Sequence, residues 1–373
     1  MQGTEDRKQG TAGTLRVLIA GGGTGGHVIP ALAIARELRD RHSAEVRFVG
    51  TARGLETRLV PEAGFKLELV RSGQLKNVSL ATRLRTAVDL PLGAMECVGL
   101  LREFKPDVVV GVGGYASGPG MLAAILLRVP TLAFEPNAVP GLANRLVGRW
   151  VSAAAVNFEQ TRSYFRNARV TGIPVRAEFF AIQPKTEGPL RLLVFGGSQG
   201  ARVLNQAMPK IAGPLLKRFP DLEIVHQAGP RHAEITAKAY ESAGDNGAGV
   251  RVQPYLDDMP AEFTAADLIL CRSGASTMAE LGAAGKPSLL VPFALAADDH
   301  QRKNAEVFHD AGAARMLTET ELADPERLLE ELTALLTDPG ELRAMGERAR
   351  TLARPDAAEV IAEMASKLAK EKG

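Results

Sequence analysis

One short pattern occurs twice in this chain and limits the folds that the chain can adopt. LRVLIAGGGTGG at residues 15–26 and LRLLVFGGSQGA at residues 190–201 both begin Leu-Arg, continue through four apolar residues and enter a glycine-rich turn. A helical pattern rich in Ala and Leu follows each copy. A buried strand, a glycine turn and a helix open a doubly wound α/β unit, so the repeat predicts two such units.

Length and the pattern of apolar runs agree with that prediction. A chain of 373 residues is too long for one ordinary core. Short apolar runs alternate with helical stretches, which is typical of parallel strands buried on both faces. The predicted strands are Val17–Ala20, Val46–Val49, Val108–Val112, Thr131–Phe134 and Ala153–Val156 in the first half, and Val194–Phe195, Glu223–His226, Leu268–Leu270 and Ser288–Val291 in the second. We therefore expect an α/β protein with two Rossmann-like, doubly wound domains and a cleft between them.

Breaks in the pattern predict the domain limits. Residues 1–13 are polar, have no apolar segment of the kind found in signal peptides and are expected to form a disordered tail. The N-terminal domain is expected at 14–172 and the C-terminal domain at 173–353, because a Gly and a Pro interrupt VTGIPVRAEFF. Residues 354–373 predict a last amphipathic helix that could pack back on the N-terminal domain.

Composition argues against several classes of protein. Hydrophobic residues at 45% and charged residues at 24% are ordinary globular values, and a net charge of +2 does not predict a nucleic-acid partner. Cys97 and Cys271 have no metal-ligand spacing and are expected to be reduced thiols of a cytosolic protein. The longest apolar run, Met121–Leu127, is shorter than the ~18 residues that a membrane-spanning helix needs. We predict no metal site.

The first glycine-rich loop matches G-x-G-x-x-G, the pattern of dinucleotide-binding folds. Those folds also need an acidic residue about 20 positions further on, at the end of the second strand, to hold a ribose. Here the strand VRFVG runs into Gly50–Arg53, with Glu45 before the strand and Glu56 past the turn. A nicotinamide-dependent oxidoreductase is therefore disfavoured, and an NADP version that uses Arg53 would leave His27 unexplained.

The same loop can hold a different anion. Glycines let the backbone approach a ligand, and the helix that follows presents free N–H groups and a positive dipole. His27 lies at the start of that helix, where the dipole favours the neutral imidazole, so it is a candidate general base. The alternative is a histidine that only caps or packs the turn.

Two loops of the second half indicate a nucleotide diphosphate. GGSQG at 196–200 can surround a phosphate with backbone amides and the Ser198 hydroxyl. CRSGASTMAELGAAGKP places another Gly- and Ser-rich turn at a helix start, with Glu280 one turn inside the helix. A carboxylate there can accept hydrogen bonds from both hydroxyls of a ribose. The alternative is ordinary helix capping.

Two further clusters follow predicted strands, where ligands of open α/β sheets bind. GVGGYASGPG at 111–120 surrounds Tyr115 and Ser117 with glycines and could form the acceptor side of the cleft. Glu135 and Asn137, in FEPNAVPGLANR, follow the next strand.

Taken in order, the motifs resemble one known family. GGGTGGHVIPALAIA, GVGGYASGPG, GGSQGARVLN, LDDM, CRSGASTMAELGAAGKPSLLVPF and DDHQRKNA are similar to the motifs of the MurG family over about residues 15–350. The resemblance implies a GT-B fold, no metal or other cofactor, a UDP-GlcNAc donor held mainly by the C-terminal domain, and direct displacement with inversion. The implied acceptor is lipid I, undecaprenyl-diphosphate-MurNAc-pentapeptide, and the product is lipid II of peptidoglycan.

The resemblance also implies roles for single residues. It makes His27 or Glu135 the catalytic base and places Arg176 against the donor diphosphate. The other implied donor-binding positions are Thr24, Gly25, Gly26, Asn137, Ser198, Leu256 through its backbone, Ala275, Ser276, Thr277, Glu280, Gln301 and Asn304, and the acceptor-side positions are Gly23, Tyr115 and Ser117. The family's HEQN reads FEPN at 134–137 here, so one polar contact after Glu135 is missing and a proline stiffens the turn.

A basic and apolar segment is the predicted membrane contact. Residues 71–88 contain basic and apolar side chains and no acidic one, which is typical of an interfacial segment. The predicted patch comprises Leu75, Lys76, Leu80, Arg83, Leu84 and Arg85. An ordinary helix with a solvated basic face is the alternative. Together with a lipid acceptor, the resemblance implies a peripheral protein on the cytoplasmic face of the bacterial inner membrane.

Two other functions fit the same motifs. A UDP-GlcNAc 2-epimerase shares the fold and the donor but would need no lipid-facing patch. A non-catalytic nucleotide-sugar sensor would bind the donor without depending on His27.

Overall fold

The computed structural model describes residues 14–72, 80–114, 116–243 and 249–371, which contain two parallel sheets. The first sheet consists of β1 (Arg16–Gly21), β2 (Glu45–Gly50), β3 (Lys66–Leu69), β4 (Val108–Gly113), β5 (Thr131–Glu135), β6 (Ala153–Val156) and β7 (Ala168–Val170). The second consists of β8 (Arg191–Phe195), β9 (Glu223–Gln227), β10 (Val250–Gln253), β11 (Leu268–Cys271), β12 (Ser288–Leu290) and β13 (Ala314–Met316). Every strand that the sequence predicted is present, and the prediction of two doubly wound α/β sheets is confirmed. The predicted tail at 1–13 lies outside the described residues.

Helices alternate with the strands along most of the chain. They are α1 (Gly25–His42), α2 (Glu56–Glu62), α3 (Leu80–Phe104), α4 (Ser117–Leu126), α5 (Leu142–Val147), α6 (Ala177–Phe180), α7 (Arg202–Arg218), α8 (Ala233–Ser242), α9 (Met259–Ala265), α10 (Ala275–Ala284), α11 (His300–Asp310), α12 (Glu319–Leu322), α13 (Pro325–Thr337), α14 (Pro339–Thr351) and α15 (Ala357–Lys370), with 3-10 turns at Glu159–Tyr164 and Ala297–Asp299. Within the described residues, no helix is both long and apolar enough to cross a bilayer.

The central strand β8 of the second sheet is buried on both faces. Leu192 and Val194 of β8 join the core on one face, whereas Leu193 and Phe195 join the core on the other. Side chains alternate across a strand, so a strand covered on both sides must be apolar at every position. The continuous apolar run at the start of the second repeat therefore follows from burial on both faces.

Four strands were missed by the sequence analysis, and all four lie at sheet edges. They are β3 (KLEL), β7 (ARV), β10 (VRVQ) and β13 (ARM). Each contains a charged residue, and Ala314 of β13 is the one fully buried position among the four strands. An edge strand faces solvent on one side and does not need a continuous apolar run. The rule that found the central strands could therefore not find these.

The strand order fixes where ligands can bind in each sheet. The first sheet runs β3-β2-β1-β4-β5-β6-β7, and the second runs β10-β9-β8-β11-β12-β13. In each, the first strand lies between its second and fourth strands, so the order reverses there. Ligands of open α/β sheets bind at the carboxyl ends of the strands at this switch point. The two repeated glycine-rich turns follow β1 and β8, the strands at the two switch points.

The chain divides into two compact units. The first unit contains the described residues up to Ala133, Trp150–Ser152 and the end of the chain from Ile361. The second contains Phe134–Arg149 and Ala153–Val360. The domain limits that the sequence suggested at residues 172 and 353 stay predictions.

Candidate functional site

In the first unit, the loops that follow β1 and β4 touch through their backbones. The Gly22 amide donates to the Gly113 carbonyl at 3.3 Å. A Cβ atom on Gly114 would overlap with the backbone of Gly22, and one on Gly21 would overlap with the Gly113 carbonyl. Gly113 and Gly114 both have positive φ. Side chains at these positions would force the two loops apart.

His27 lies in the first turn of α1. Thr24 is the N-cap residue with an extended backbone, Gly25 and Gly26 open the helix, and the Thr24 carbonyl accepts from the His27 amide at 3.1 Å. The imidazole lies against Gly113, where a Cβ atom would be 2.8 Å from Cε1 of His27. Gly113 therefore leaves the space that the half-buried imidazole occupies.

The two acceptor-side predictions in the loop after β4 differ in what the structure describes. Ser117 begins α4, and its hydroxyl is buried and has no hydrogen-bond partner among the described residues. Tyr115 lies outside the described residues. Both roles stay predictions.

In the second unit, the GGSQG turn packs on the loop that follows β9. A Cβ atom on Gly200 would overlap with the Ala228 carbonyl. The Gln227 side chain donates to the Gly197 carbonyl at 2.9 Å, and Ser198 at the tip of the turn is exposed. The Leu256 side chain, after β10, is buried in the core. Its backbone is the part that a ligand could use.

A buried network that the sequence analysis missed holds the Ala228 side of this contact. Nδ2 of the Asn205 side chain donates to the Ala228 carbonyl at 2.9 Å. The other polar side-chain atom, Oδ1, lies 3.1 Å from Nε2 of His226 and can only accept, so Nε2 carries the hydrogen. Nδ1 of His226 then accepts from the Tyr240 hydroxyl at 2.8 Å. Complete burial lowers the pKa of His226 to about 3, so the ring is neutral.

The start of α10 presents amides, hydroxyls and one carboxyl group. Gly274 is the N-cap residue and offers no side-chain cap to the first turn, which contains Ala275, Ser276 and Thr277. Burial raises the pKa of Glu280 to about 7, and the nearby guanidinium of Arg176 opposes this rise. An anion at the helix start and a pair of hydroxyls at Glu280 would each find a suitable partner here.

Glu135 is a buried carboxylate that organises its own loop. Oε1 accepts from the backbone and side-chain amides of Asn137 at 3.0 and 3.1 Å, and Oε2 accepts from the Gly141 amide at 3.0 Å and the Asn144 side chain at 2.9 Å. Burial raises its pKa, and these hydrogen bonds oppose the rise. Both oxygens are already used by the protein.

Asn304 joins three predicted site segments. Its Oδ1 accepts from the Ala138 amide at 2.9 Å, and its Nδ2 donates to the Ser273 carbonyl at 3.1 Å and to Oδ1 of Asn137 at 3.3 Å. Ser273 in turn donates from its hydroxyl to the Gln301 carbonyl at 2.8 Å. The structure thus brings together the loop after β5, the loop after β11 and α11.

Arg272 was also missed as a site residue, although its motif had been singled out. Its guanidinium donates to the Val291 and Pro292 carbonyls, both at 3.0 Å, and pairs with Glu319 at 2.7 Å. The Phe293 amide of the same loop donates to Oε1 of Gln301 at 3.0 Å. Arg272 therefore holds the loop that orients the Gln301 side chain.

The predicted membrane patch falls where the structure describes no side chains. Leu75 and Lys76 lie outside the described residues, as do the side chains of Leu80, Arg83, Leu84 and Arg85, whose backbone belongs to α3.

Two doubly wound sheets, with glycine-rich loops at both switch points, are the architecture of the GT-B fold, which the family models narrow to a glycosyltransferase. The model of the glycosyltransferase family 28 N-terminal domain matches residues 17–156, and that of the C-terminal domain matches residues 191–361. The UDP-N-acetylglucosamine–N-acetylmuramyl-(pentapeptide) pyrophosphoryl-undecaprenol N-acetylglucosamine transferase of Solibacter usitatus is 46% identical over 358 residues, which cover 95% of this chain and 96% of that protein. The transferase of the same name from Myxococcus xanthus is 42% identical over 356 residues, 94% of this chain and 92% of that protein.

Solved structures agree. The crystal structure of MurG from Acinetobacter baumannii has a TM-score of 0.78 at 32% identity and covers 95% of this chain and 99% of its own. A UDP-GlcNAc 2-epimerase from Neisseria meningitidis has a TM-score of 0.68 at 16% identity, with 95% and 100% coverage, a likeness of fold alone. The chain belongs to glycosyltransferase family 28 and, within it, to the MurG family.

Proposed function

We propose that this protein transfers N-acetylglucosamine from UDP-GlcNAc to undecaprenyl-diphosphate-MurNAc-pentapeptide, with inversion and without a metal, in peptidoglycan synthesis. The observation that carries the proposal is the identity to transferases of that name along nearly the whole chain. The likeness to 2-epimerases is restricted to the fold and does not favour that reaction.

The donor is assigned to the second unit because its groups match the parts of a nucleotide sugar. The start of α10 and Arg176 face the diphosphate, Glu280 accepts from the ribose hydroxyls, and the Leu256 backbone pairs with uracil. Ser198 and the amides of the GGSQG turn add phosphate contacts. Asn137 and Gln301, which Asn304 and Arg272 hold in place, contact the sugar.

The reaction is a direct displacement at the anomeric carbon. The acceptor hydroxyl forms the new C–O bond as its proton passes to His27, and the bond from carbon to the diphosphate oxygen breaks with its electron pair leaving on UDP. Preorganised amides and Arg176 stabilise the charge that develops on the diphosphate. Thr24, Gly25 and Gly26 at the start of α1 face the donor and the acceptor diphosphate.

His27 is a better base than Glu135. Both carboxylate oxygens of Glu135 accept two hydrogen bonds each inside a buried loop, so proton transfer to it would break that loop. His27 is half-buried at a helix start, next to a glycine that leaves it space.

A lipid-linked acceptor requires access to the cytoplasmic membrane surface. The first unit exposes the large apolar side chains of Leu69, Met95, Leu122 and Leu126, and α3 packs on α4. Leu122 and Leu126 are four residues apart and so lie on one face of α4, and an exposed apolar patch can mark an interaction surface. Co-sedimentation with anionic vesicles tests this point, and failure to bind at low salt would contradict it.

Transfer itself is the first test. With labelled UDP-GlcNAc and the prenyl-diphosphate-MurNAc-pentapeptide acceptor, we expect UDP release only when the acceptor is present and the label on the lipid. Formation of free ManNAc without acceptor would identify an epimerase instead. Donor binding with no turnover, either with or without the acceptor, would identify a sensor.

Removing the proposed base should separate turnover from donor binding. We expect His27→Ala to lower turnover by about 10²- to 10⁴-fold, the usual contribution of a positioned acid or base, while calorimetry shows unchanged UDP-GlcNAc affinity. His42→Ala, in the last turn of the same helix, is the matched control. Wild-type turnover in His27→Ala would rule out its role as base.

Donor affinity should depend on pH through Glu280. Only the ionised carboxylate accepts from both ribose hydroxyls, and burial raises the pKa of Glu280 to about 7 in the free protein. Because the ionised fraction of Glu280 increases from pH 6 to pH 8, the affinity for UDP-GlcNAc should increase about tenfold over the same range. The diphosphate of UDP-GlcNAc does not titrate in this range. Glu280→Gln should remove the dependence, whereas the exposed control Glu234→Gln should keep it. A flat wild-type profile would contradict the assignment.

A further inference from the structure

Glu56 lies past the end of the second strand, where a dinucleotide-binding fold would have its ribose-binding acid. Its side chain contacts the first glycine-rich loop instead. Glu56 begins α2 and is 1% exposed. Oε2 accepts from the Gly23 amide at 2.6 Å, and Oε1 accepts from the amide and the hydroxyl of Thr51, both at 3.0 Å. One carboxylate thus ties the loop after β1 to the loop after β2.

Three glycines surround this carboxylate. A Cβ atom on Gly22 or on Gly54 would overlap with the carboxylate, and one on Gly50 would lie 2.7 Å from Cγ of Glu56. Gly54 does not have positive φ, and the three atoms nearest to a Cβ atom placed on it all belong to Glu56. The side chain of Glu56, rather than the backbone, is therefore what demands a glycine at position 54.

The contact with Gly23 lies one residue before Thr24, the N-cap residue of α1. Gly23 also accepts from the Leu55 amide at 3.0 Å, so the loop is held to the start of α2 in both directions. On its other side the loop touches Gly113, which also contacts the His27 ring. A charged acceptor makes the stronger kind of hydrogen bond to a backbone amide.

We infer that Glu56 is a positioning residue that fixes the loop carrying Thr24 and His27, so that the base at the start of α1 has one orientation. Glu56 does not itself contact a ligand, because it is buried and its oxygens are occupied by Gly23 and Thr51. The inference rests on the proposed function for the reaction that it serves. The fixed loop can be measured separately.

The kinetic test uses an isosteric change. Glu56→Gln keeps one acceptor oxygen but turns an NH₂ group toward amide donors, so the loop should shift. We expect turnover to fall by about 10- to 100-fold, because a displacement of 1 Å can cost this much, and UDP-GlcNAc affinity to fall much less, because most donor contacts are assigned to the second unit. Glu62→Gln, exposed in the last turn of the same helix, is the control and should leave both values unchanged. Wild-type turnover in Glu56→Gln, or equal losses of turnover and donor affinity, would overturn the inference.

A double-mutant cycle tests the contact between Gly54 and Glu56, so the test does not depend on Glu56→Gln alone. Gly54→Ala should lower turnover as Glu56→Gln does, because the new methyl group pushes on the carboxylate. In a Glu56→Ala background the same methyl group meets no carboxylate, so Gly54→Ala should cause no further loss. Additive losses would contradict the proposed contact.

Hydrogen exchange gives a readout that is independent of activity. In Glu56→Gln, exchange at residues 21–24 should accelerate while the second unit is unchanged, and unaltered exchange there would overturn the positioning role. If wild-type protein transfers no sugar, the proposed function fails, yet this measurement still decides whether Glu56 fixes the loop.

Discussion

The close approach of backbone to backbone at the carboxyl ends of the central strands determines where the glycine-rich loops after β1 and β8 lie. In the first unit the loops after β1 and β4 meet at Gly22 and Gly113, and in the second the turn after β8 meets the loop after β9 at Gly200. No side chain fits at these contacts. The helices that follow therefore start at the switch points, where their free amides can face an anion.

Three buried or partly buried carboxylates lie at these sites, and they differ in their hydrogen-bond partners. Both oxygens of Glu56 and both oxygens of Glu135 accept hydrogen bonds from amide donors of nearby loops. These two residues therefore stabilise the loops that carry His27 and Asn137. Glu280 lies in α10 with a pKa raised to about 7 by burial, and in the proposed function it accepts from the donor ribose. Equivalent groups thus serve structure or binding according to what already surrounds them.

The parts of this architecture that depend on local pattern could be read from the sequence. Central strands and glycine turns are local, and both were predicted. Edge strands lack the apolar run, and β3, β7, β10 and β13 were missed. The role of Glu56 depends on a contact with Gly23, 33 positions away, and that of Asn304 on Ala138, 166 positions away. Spacing along a chain does not reveal which distant segments meet. Glu56 was therefore missed, and Asn304 was named only by the family resemblance and not by its contacts.

The central claim is that the donor is held by the loops at the switch point of the second sheet, and hydrogen exchange with UDP-GlcNAc alone tests it most directly. We expect the donor to slow exchange most strongly at residues 196–200, at the start of α10 and around Gln301, and to leave β2 (Glu45–Gly50) unchanged. Slowed exchange at 21–24 with no change in the second unit would contradict the claim.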